Sequence, residues 1–321
     1  VDAPVVVFDS VSPSFITSST EIEFTTLITS PEGSITSAVV KYGTNSQLLN
    51  ESELYLESGD TWAGYIPAQN GNIILQMQVV ATNSAGIVGQ SVVVERMIAN
   101  STPNSISDLY TDQISNSIVT VKGIVTIGGA GILHPSYTKA YVQDESGRGL
   151  QLFNRVQITD LERGSEVEVV GYVGYYNSTY QITDFEYRVV STNNTLPEAV
   201  TISSAEANSS DYEGTLVSLS GTITDTTLIN LTDGVNLTID DVTSVMIWST
   251  TGVNVSNLVP GFSGNFIGVG SQFVDQYQLL VAYDSDISST VAVDNDDIVV
   301  NDFSLLPAYP NPFNPKTSIP F

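Results

Sequence analysis

The stretch KAYVQDESGRGLQLF, residues 139–153, decides the fold of the central part of the chain. Its two strand-like runs, 139–146 and 149–153, belong to a set of five. The other three are IVTVKGIVTIG (118–128), SEVEVVGYVGYY (165–176) and TYQITDFEYRVV (179–190). Five strands suit a small closed barrel. Gly123 inside the first run predicts the sharp bend that a barrel strand needs, and residues 154–163 predict a plug between strands three and four.

This region resembles the OB-fold modules of secreted bacterial nucleases and related surface proteins. The matching residues are VKGIVT (121–126), YVQDESGRGLQLF (141–153) and EVEVVGYV (166–173). A second, degenerate copy follows, with matches at DYEGTLVSLSGTIT (211–224), NLTID (236–240), SVMIW (244–248) and QYQLLVAYDSDI (276–287). The resemblance implies two OB-like barrels in tandem, over residues 106–198 and 201–288.

The region before the barrels, residues 1–98, consists of about seven short alternating runs separated by Ser, Asn, Gly and Pro turns. This spacing is typical of a β-sandwich. Trp62 and the segment GYIPAQNGNIILQMQVVATNSAG after it resemble bacterial extracellular immunoglobulin-like or fibronectin-like modules. We therefore expect an immunoglobulin-like sandwich here.

The end of the chain carries its most specific motif. An acidic linker, 289–303, precedes a segment at 304–321 that contains YPNPFNPKT. This motif resembles the opening of the type A C-terminal sorting domain carried by cargo of the type IX secretion system. The resemblance implies export to the outer surface of a bacterium. The chain begins with Val1 rather than Met, which suggests a removed signal peptide or a fragment of a longer precursor.

Composition agrees with an all-β, extracellular protein. Few residues favour helices, Val, Ile, Thr and Tyr are abundant, and no apolar run approaches the length of a membrane span. Nine basic against 35 acidic residues give a net charge of −26, which opposes binding to nucleic acid or anionic lipid. Cys is absent and His134 is the only histidine, so disulfides, thiolate chemistry and histidine-rich metal sites are excluded.

Candidate sites are few. A ligand-binding patch is predicted in the first barrel, where aromatic and arginine side chains concentrate: Tyr172, Tyr176, Tyr180, Arg148 and Arg188. Glu166 and Glu168 alternate with valines and are interpreted as solvent-facing strand residues rather than a glycosidase pair.

Calcium is the only cofactor that the sequence suggests. Its candidate ligands are Asp294, Asp296, Asp297 and Asp302, although a solvated acidic linker is the favoured interpretation of these residues. Eight Asn-x-Ser/Thr sequons are candidates for glycosylation: Asn50, Asn100, Asn177, Asn193, Asn208, Asn230, Asn236 and Asn254.

Two functional hypotheses follow. The first is a non-catalytic structural or adhesive protein of the cell surface that self-associates into a homopolymer, with either PKTSIPF or VAVDNDDIVV completing the sheet edge of a neighbouring molecule. The second is the binding region of a secreted nuclease or other hydrolase whose catalytic domain is not in this chain, with carbohydrate favoured over nucleic acid as the ligand. Neither hypothesis makes the chain itself an enzyme.

Overall fold

The structure is a computed structural model that describes residues 2–129, 131–229 and 233–290. Within these ranges the chain forms 22 strands, one α-helix and four 3-10 helices of three residues each. The predicted all-β class is therefore confirmed. The predicted sorting-type segment, and all of the acidic linker after Thr290, lie outside the described residues.

The first module is a β-sandwich of ten strands. They are β1 (Val5–Ser12), β2 (Ile16–Thr17), β3 (Ile22–Thr29), β4 (Ile35–Thr44), β5 (Gln47–Glu53), β6 (Tyr55–Ser58), β7 (Thr61–Ile66), β8 (Ile73–Asn83), β9 (Val88–Gln90) and β10 (Val94–Ala99). One sheet has the order β1-β3-β7-β6, and the other has the order β2-β10-β8-β4-β5 with β9 beside β8.

Buried and partly exposed residues alternate strictly along β8 from Leu75 onward, and its buried residues form part of the sandwich core. Leu75, Met77 and Val79 are all fully buried, and the residues between them are partly exposed. Since successive side chains of a strand point to opposite faces, these three lie together between the sheets. Phe24 and Ile28 of β3 belong to the same buried cluster.

The second module is a closed barrel preceded by a short helix, α1 (Ile106–Thr111). Its strands are β11 (Ser117–Ile127), β12 (Thr138–Gln143), β13 (Gly149–Asn154), β14 (Glu166–Tyr176) and β15 (Thr179–Ser191). They close in the order β11-β12-β13-β15-β14, with β13 and β15 parallel and the other pairs antiparallel.

Gly123 lies at the bend of β11, as its position in the sequence predicts. The strand pairs with β14 from Ser117 to Ile124 and with β12 from Ile124 onward. A Cβ at Gly123 would stand 2.5 Å from the backbone oxygen of Gln143. Only glycine allows β12 to approach so closely at this point.

The segment predicted to plug the barrel is a loop that buries Leu161 in the barrel core and packs the partly buried Ile158 against it. Helix α1 closes the same core with Ile106 and Leu109, both fully buried. The plug is therefore shared between two segments, and the sequence predicts only one of them.

The third module repeats the barrel. Its strands are β16 (Val200–Ile202), β17 (Leu216–Ile229), β18 (Gly234–Ile239), β19 (Thr243–Trp248), β20 (Ser263–Phe273), β21 (Gln276–Leu280) and β22 (Ile287–Ser289). Pairing of β17 with β20 closes the ring β17-β18-β19-β21-β20. As in the first barrel, this ring contains one parallel pair, here β19 and β21. Strands β16 and β22 flank this ring by pairing with β17 and β20.

The two barrels pack directly on each other. Ile127 and Tyr141 of the first barrel share a buried cluster with Leu216, Val269 and Leu280 of the second. The Tyr141 and Ser271 hydroxyl groups are hydrogen-bonded across this contact, with their oxygen atoms 3.3 Å apart. The second barrel consequently covers part of the outer face of the first, and an uncovered part lines the site described next.

Candidate functional site

The five residues predicted to form a ligand-binding patch are dispersed by the structure. Tyr176 is 65% exposed at the end of β14. Tyr180 is fully buried, and its hydroxyl donates to the carbonyl oxygens of Leu109 and Ile114. Tyr172 lines a cavity against the sandwich, whereas Arg148 and Arg188 lie in two other places. Of these five residues, only Tyr176 lines the cavity in which the most aromatic rings meet.

This cavity, which we call the barrel groove, has a volume of about 550 Å³. It lies over the uncovered outer face of β12 and β13, beside the hairpins β14–β15 and β20–β21. Five rings line it: His134, Tyr137, Phe153, Tyr176 and Phe273. The last comes from the second barrel, so both barrels contribute to the groove.

Strand alternation places the groove residues on the outside of the barrel. Ala140, Leu150 and Leu152 fill the barrel core, so their neighbours Lys139 and Phe153 point outward. Lys139 and Phe153 are direct partners in the β12–β13 register. Both strands can be recognised in the sequence, and their alternation shows which residues point outward. This signal could have identified Lys139 and Phe153.

The rings at one end of the groove hold one another. His134 and Tyr137 stack with centroids 4.4 Å apart and planes 11° apart, and Tyr137 meets Phe153 edge to face at 6.0 Å. The Nδ1 atom of His134 accepts hydrogen bonds from the backbone N–H groups of Ser136 and Tyr137. Burial, followed by the nearby Lys139 charge, lowers the pKa of His134. The ring is therefore neutral at pH 7, with its proton on Nε2.

A chain of hydrogen-bonded side chains forms the floor of the groove. The Tyr141 hydroxyl donates to Gln151 Oε1 at 3.2 Å, and Gln151 Nε2 donates to Gln181 Oε1 at 2.7 Å. Among the described residues, Gln181 Nε2 has no acceptor, so its N–H groups are available to a ligand. Both glutamines are 7% exposed, which fixes their position.

The second barrel is attached to the groove at two hairpin tips. Val274 N donates to the Asn177 carbonyl at 3.0 Å, and Thr179 Oγ1 donates to the Gln272 carbonyl at 2.5 Å. Asn177 and Ser178 have φ values of 48° and 67°, the left-handed pair that a tight two-residue hairpin turn requires. These contacts set Phe273, which is 57% exposed, opposite the face of the first barrel.

Arg148 lines a different cavity, the seam pocket, on the other side of the same hairpin. Its guanidinium lies 4.1 Å over the Tyr110 ring and donates to the Ser210 carbonyl at 3.3 Å. Glu213, only 5% exposed, accepts from the backbone N–H of Tyr180 at 2.5 Å. Burial raises the pKa of Glu213, and the hydrogen bond from Tyr180 and the charge of Arg148 partly offset that effect.

Arg188 belongs to the junction between the sandwich and the first barrel. It pairs with Glu168 at 2.6 Å and lies 5.2 Å from the Phe15 ring centroid of the sandwich. The interpretation of Glu168 as solvent-facing is wrong, because its side chain is 5% exposed within this junction. Nearby, Arg96 pairs with Glu186 at 2.8 Å across the same boundary.

The remaining predicted sites have varied positions. The four candidate calcium ligands, Asp294, Asp296, Asp297 and Asp302, lie outside the described residues. Within the described ranges, no three His, Cys, Asp or Glu side chains are grouped so as to hold a metal ion. Four sequon asparagines are exposed, three are partly exposed, and Asn230 lies outside the described residues. The exposed ones are Asn50, Asn177, Asn193 and Asn254, and the partly exposed ones are Asn100, Asn208 and Asn236.

In the part of the chain that the structure describes, no helix has the length and apolar character that crossing a membrane requires.

Comparison with known proteins gives only distant similarity to solved structures. No protein-family model matches the chain, and no curated protein matches it. A solved structure of an uncharacterized protein from Listeria monocytogenes, in complex with α-D-glucose, β-D-glucose, magnesium and calcium, is 9% identical with a TM-score of 0.28. That match covers 81% of this chain and 18% of the other, so this chain corresponds to less than a fifth of that protein's length.

Proposed function

We propose that this chain is a non-catalytic adhesive region of a protein exported to the outer surface of a bacterium, and that it binds carbohydrate in the barrel groove. The observation that carries the proposal is the composition of the groove. Five aromatic rings converge there from two modules around a floor of fixed amide groups.

This composition suits sugars for a physical reason. One face of a pyranose ring presents C–H groups that pack on aromatic rings, and its hydroxyl groups need hydrogen-bonding partners of fixed geometry. Tyr176 and Phe273 supply exposed rings, and Gln151 and Gln181 supply the held amides. Large exposed rings that converge on one cavity are typical of a binding site rather than of ordinary surface.

The other parts of the proposal rest on the sequence. Export rests on the YPNPFNPKT motif, and the absence of catalysis rests on a chain that has no Cys and a single His. The alternative, a binding region of a secreted nuclease, is less favoured because a net charge of −26 repels nucleic acid.

The test is saccharide binding by the purified chain and by a double variant, Tyr176→Ala with Phe273→Ala. Screening on a glycan array, followed by calorimetric titration of the retained saccharides, should show an affinity about 10- to 100-fold lower for the double variant. Tyr55→Ala is the matched control, because Tyr55 is 46% exposed on the sandwich. Absence of saccharide binding by the unmodified chain, or equal binding by the double variant, would refute the proposal.

A further inference from the structure

The basic residues of this acidic chain include several that form no ion pair. Of the nine, Lys316 lies outside the described residues, and four form ion pairs with carboxylates: Arg96, Lys122, Arg163 and Arg188. The other four have no ion pair with any described residue: Lys41, Lys139, Arg148 and Arg155. Two of these, Lys139 and Arg155, line the barrel groove.

Arg155 is exposed to solvent, but the lack of a partner at Lys139 is unexpected in a chain with 35 acidic residues. Lys139 is partly buried, and this burial lowers the pKa of its ammonium group. A cation removed from water without a counter-ion destabilises the folded state unless something else binds it. Asp184 also lines the groove but forms no ion pair with either cation within the described ranges.

We infer that the ligand of the barrel groove is an acidic saccharide, with a carboxylate held by Lys139 and Arg155 and a sugar ring stacked beside it. The inference rests on the proposed function and specifies its substrate class. The register supports it, because Lys139 stands directly opposite Phe153 and Arg155 follows that ring by two residues. Charge and stacking surface are thus adjacent on one face.

The balance of charge favours a short ligand with one or two negative groups. Two cations neutralise at most two charges, and beyond them the ligand meets a protein whose net charge is −26. A strand of nucleic acid carries a charge at every nucleotide and would be repelled along most of its length. A saccharide with a single uronic acid unit satisfies both cations without that repulsion.

The experiment compares matched saccharides that differ only in charge. A panel of uronic-acid oligosaccharides and their carboxyl-reduced neutral counterparts, for example cellobiouronic acid and cellobiose, is titrated by calorimetry against the chain. We expect the acidic member of a bound pair to be favoured by about tenfold or more, and increasing salt to weaken its binding. In Lys139→Met with Arg155→Gln the acidic member should bind no more tightly than its neutral counterpart.

Two controls make the result specific. Lys41→Met removes an equally unpaired cation from the sandwich and should leave the preference unchanged. Lys139→Arg keeps the charge and should retain most of the preference for acidic saccharides. If Lys139 had only a structural role, its replacement would change the affinity for acidic and neutral saccharides equally.

Equal affinity for acidic and neutral members, with binding still lost in the Tyr176→Ala and Phe273→Ala double variant, would overturn this inference and leave the proposed function standing. Lack of any saccharide binding would overturn both. Tighter binding of a six-nucleotide single-stranded DNA than of every acidic saccharide would also overturn the inference, in favour of nucleic acid.

Discussion

Glu213 is a residue whose ionisation is tied to the contact between the barrels. It lies just before β17 in the second barrel, yet it accepts a hydrogen bond from the backbone of Tyr180 in the first. Its pKa is raised, mainly by burial. The folded protein therefore binds the Glu213 proton more tightly than the unfolded protein does. The stability that this carboxyl contributes is fully present below its ordinary pKa near 4.5 and is lost as the pH rises through its higher folded pKa.

This sign predicts the behaviour of Glu213→Gln. In this variant the amide oxygen still accepts from Tyr180, but no charge has to be buried. At pH 8 its free energy of unfolding should therefore be at least that of the unmodified chain and up to roughly 1 kcal/mol higher. Below the ordinary carboxyl pKa the two should converge. Denaturant titrations at pH 4 and pH 8 check this, with Glu213→Ala as the comparison that leaves the Tyr180 N–H without its acceptor and costs about 1 to 3 kcal/mol at both values. A Gln variant that is less stable only at pH 8 would show that the charge itself stabilises the fold.

The burial of some single residues could not be predicted from the sequence. Alternation correctly placed Glu168 on the outer face of its strand, but the sandwich covers that face, so the side chain is buried. The sequence predicts that Tyr180 binds a ligand, yet Tyr180 lies within the barrel core. Strand periodicity shows which residues share a face, but it does not show which face another module will cover.

Among the elements, the bent first strand of each barrel needs a glycine at its bend. A Cβ at Gly123 would lie 2.5 Å from the Gln143 backbone oxygen, and one at Gly221 of β17 would lie 2.4 Å from a side-chain carbon of Ile239. Gly123→Ala should therefore destabilise the chain by about 1 to 3 kcal/mol or more, because a backbone atom cannot move aside. Gly174→Ala on β14 is the control, since its nearest neighbour would be Ser115 Oγ at 3.8 Å. Chemical denaturation measures both, and similar losses for Gly123→Ala and Gly174→Ala would contradict the close approach.

Strands could be predicted from this sequence, whereas helix α1 could not. Its six residues are too few for intrinsic helical stability, and Ser105 at its start makes no side-chain capping bond. Tertiary contacts hold it: Ile106 and Leu109 are buried in the barrel core, and the Ile106 N–H donates to Asp144 Oδ2 at 2.7 Å. The β12–β13 turn that carries Asp144 is far along the chain, so local sequence contains no signal for the helix.

At the scale of the whole molecule, the groove exists because two barrels are placed side by side. Lys139 and Phe153 could be found from strand phase in one barrel, but Phe273 joins them only because the two hairpin tips are hydrogen-bonded. Each barrel is recognisable in the sequence, and their mutual placement is not. A composite site of this kind becomes visible only when the packing of Tyr141, Leu216 and Val269 between the modules is known.

Self-association of whole molecules is predicted to depend on the C-terminal segments. PKTSIPF and VAVDNDDIVV, predicted to complete a neighbour's sheet edge, lie outside the described residues. Subunits with a net charge of −26 repel one another, so contact should require screening salt or a divalent cation bound by Asp294, Asp296, Asp297 and Asp302. A strand donated head to tail leaves the next edge open, so the product is a fibre rather than a closed ring.

Negative-stain electron microscopy of the full chain, with calcium and then with EDTA, should show fibres that disperse on chelation. A chain ending at Thr290 lacks both segments but retains all three folded modules, so it should remain dispersed under every condition. Ordered fibres from that shortened chain would place the contact within the described modules instead of the C-terminal segments. Monomers from the full chain at all calcium concentrations, confirmed by sedimentation velocity, would exclude self-association by strand donation and leave saccharide binding as the adhesive property to pursue.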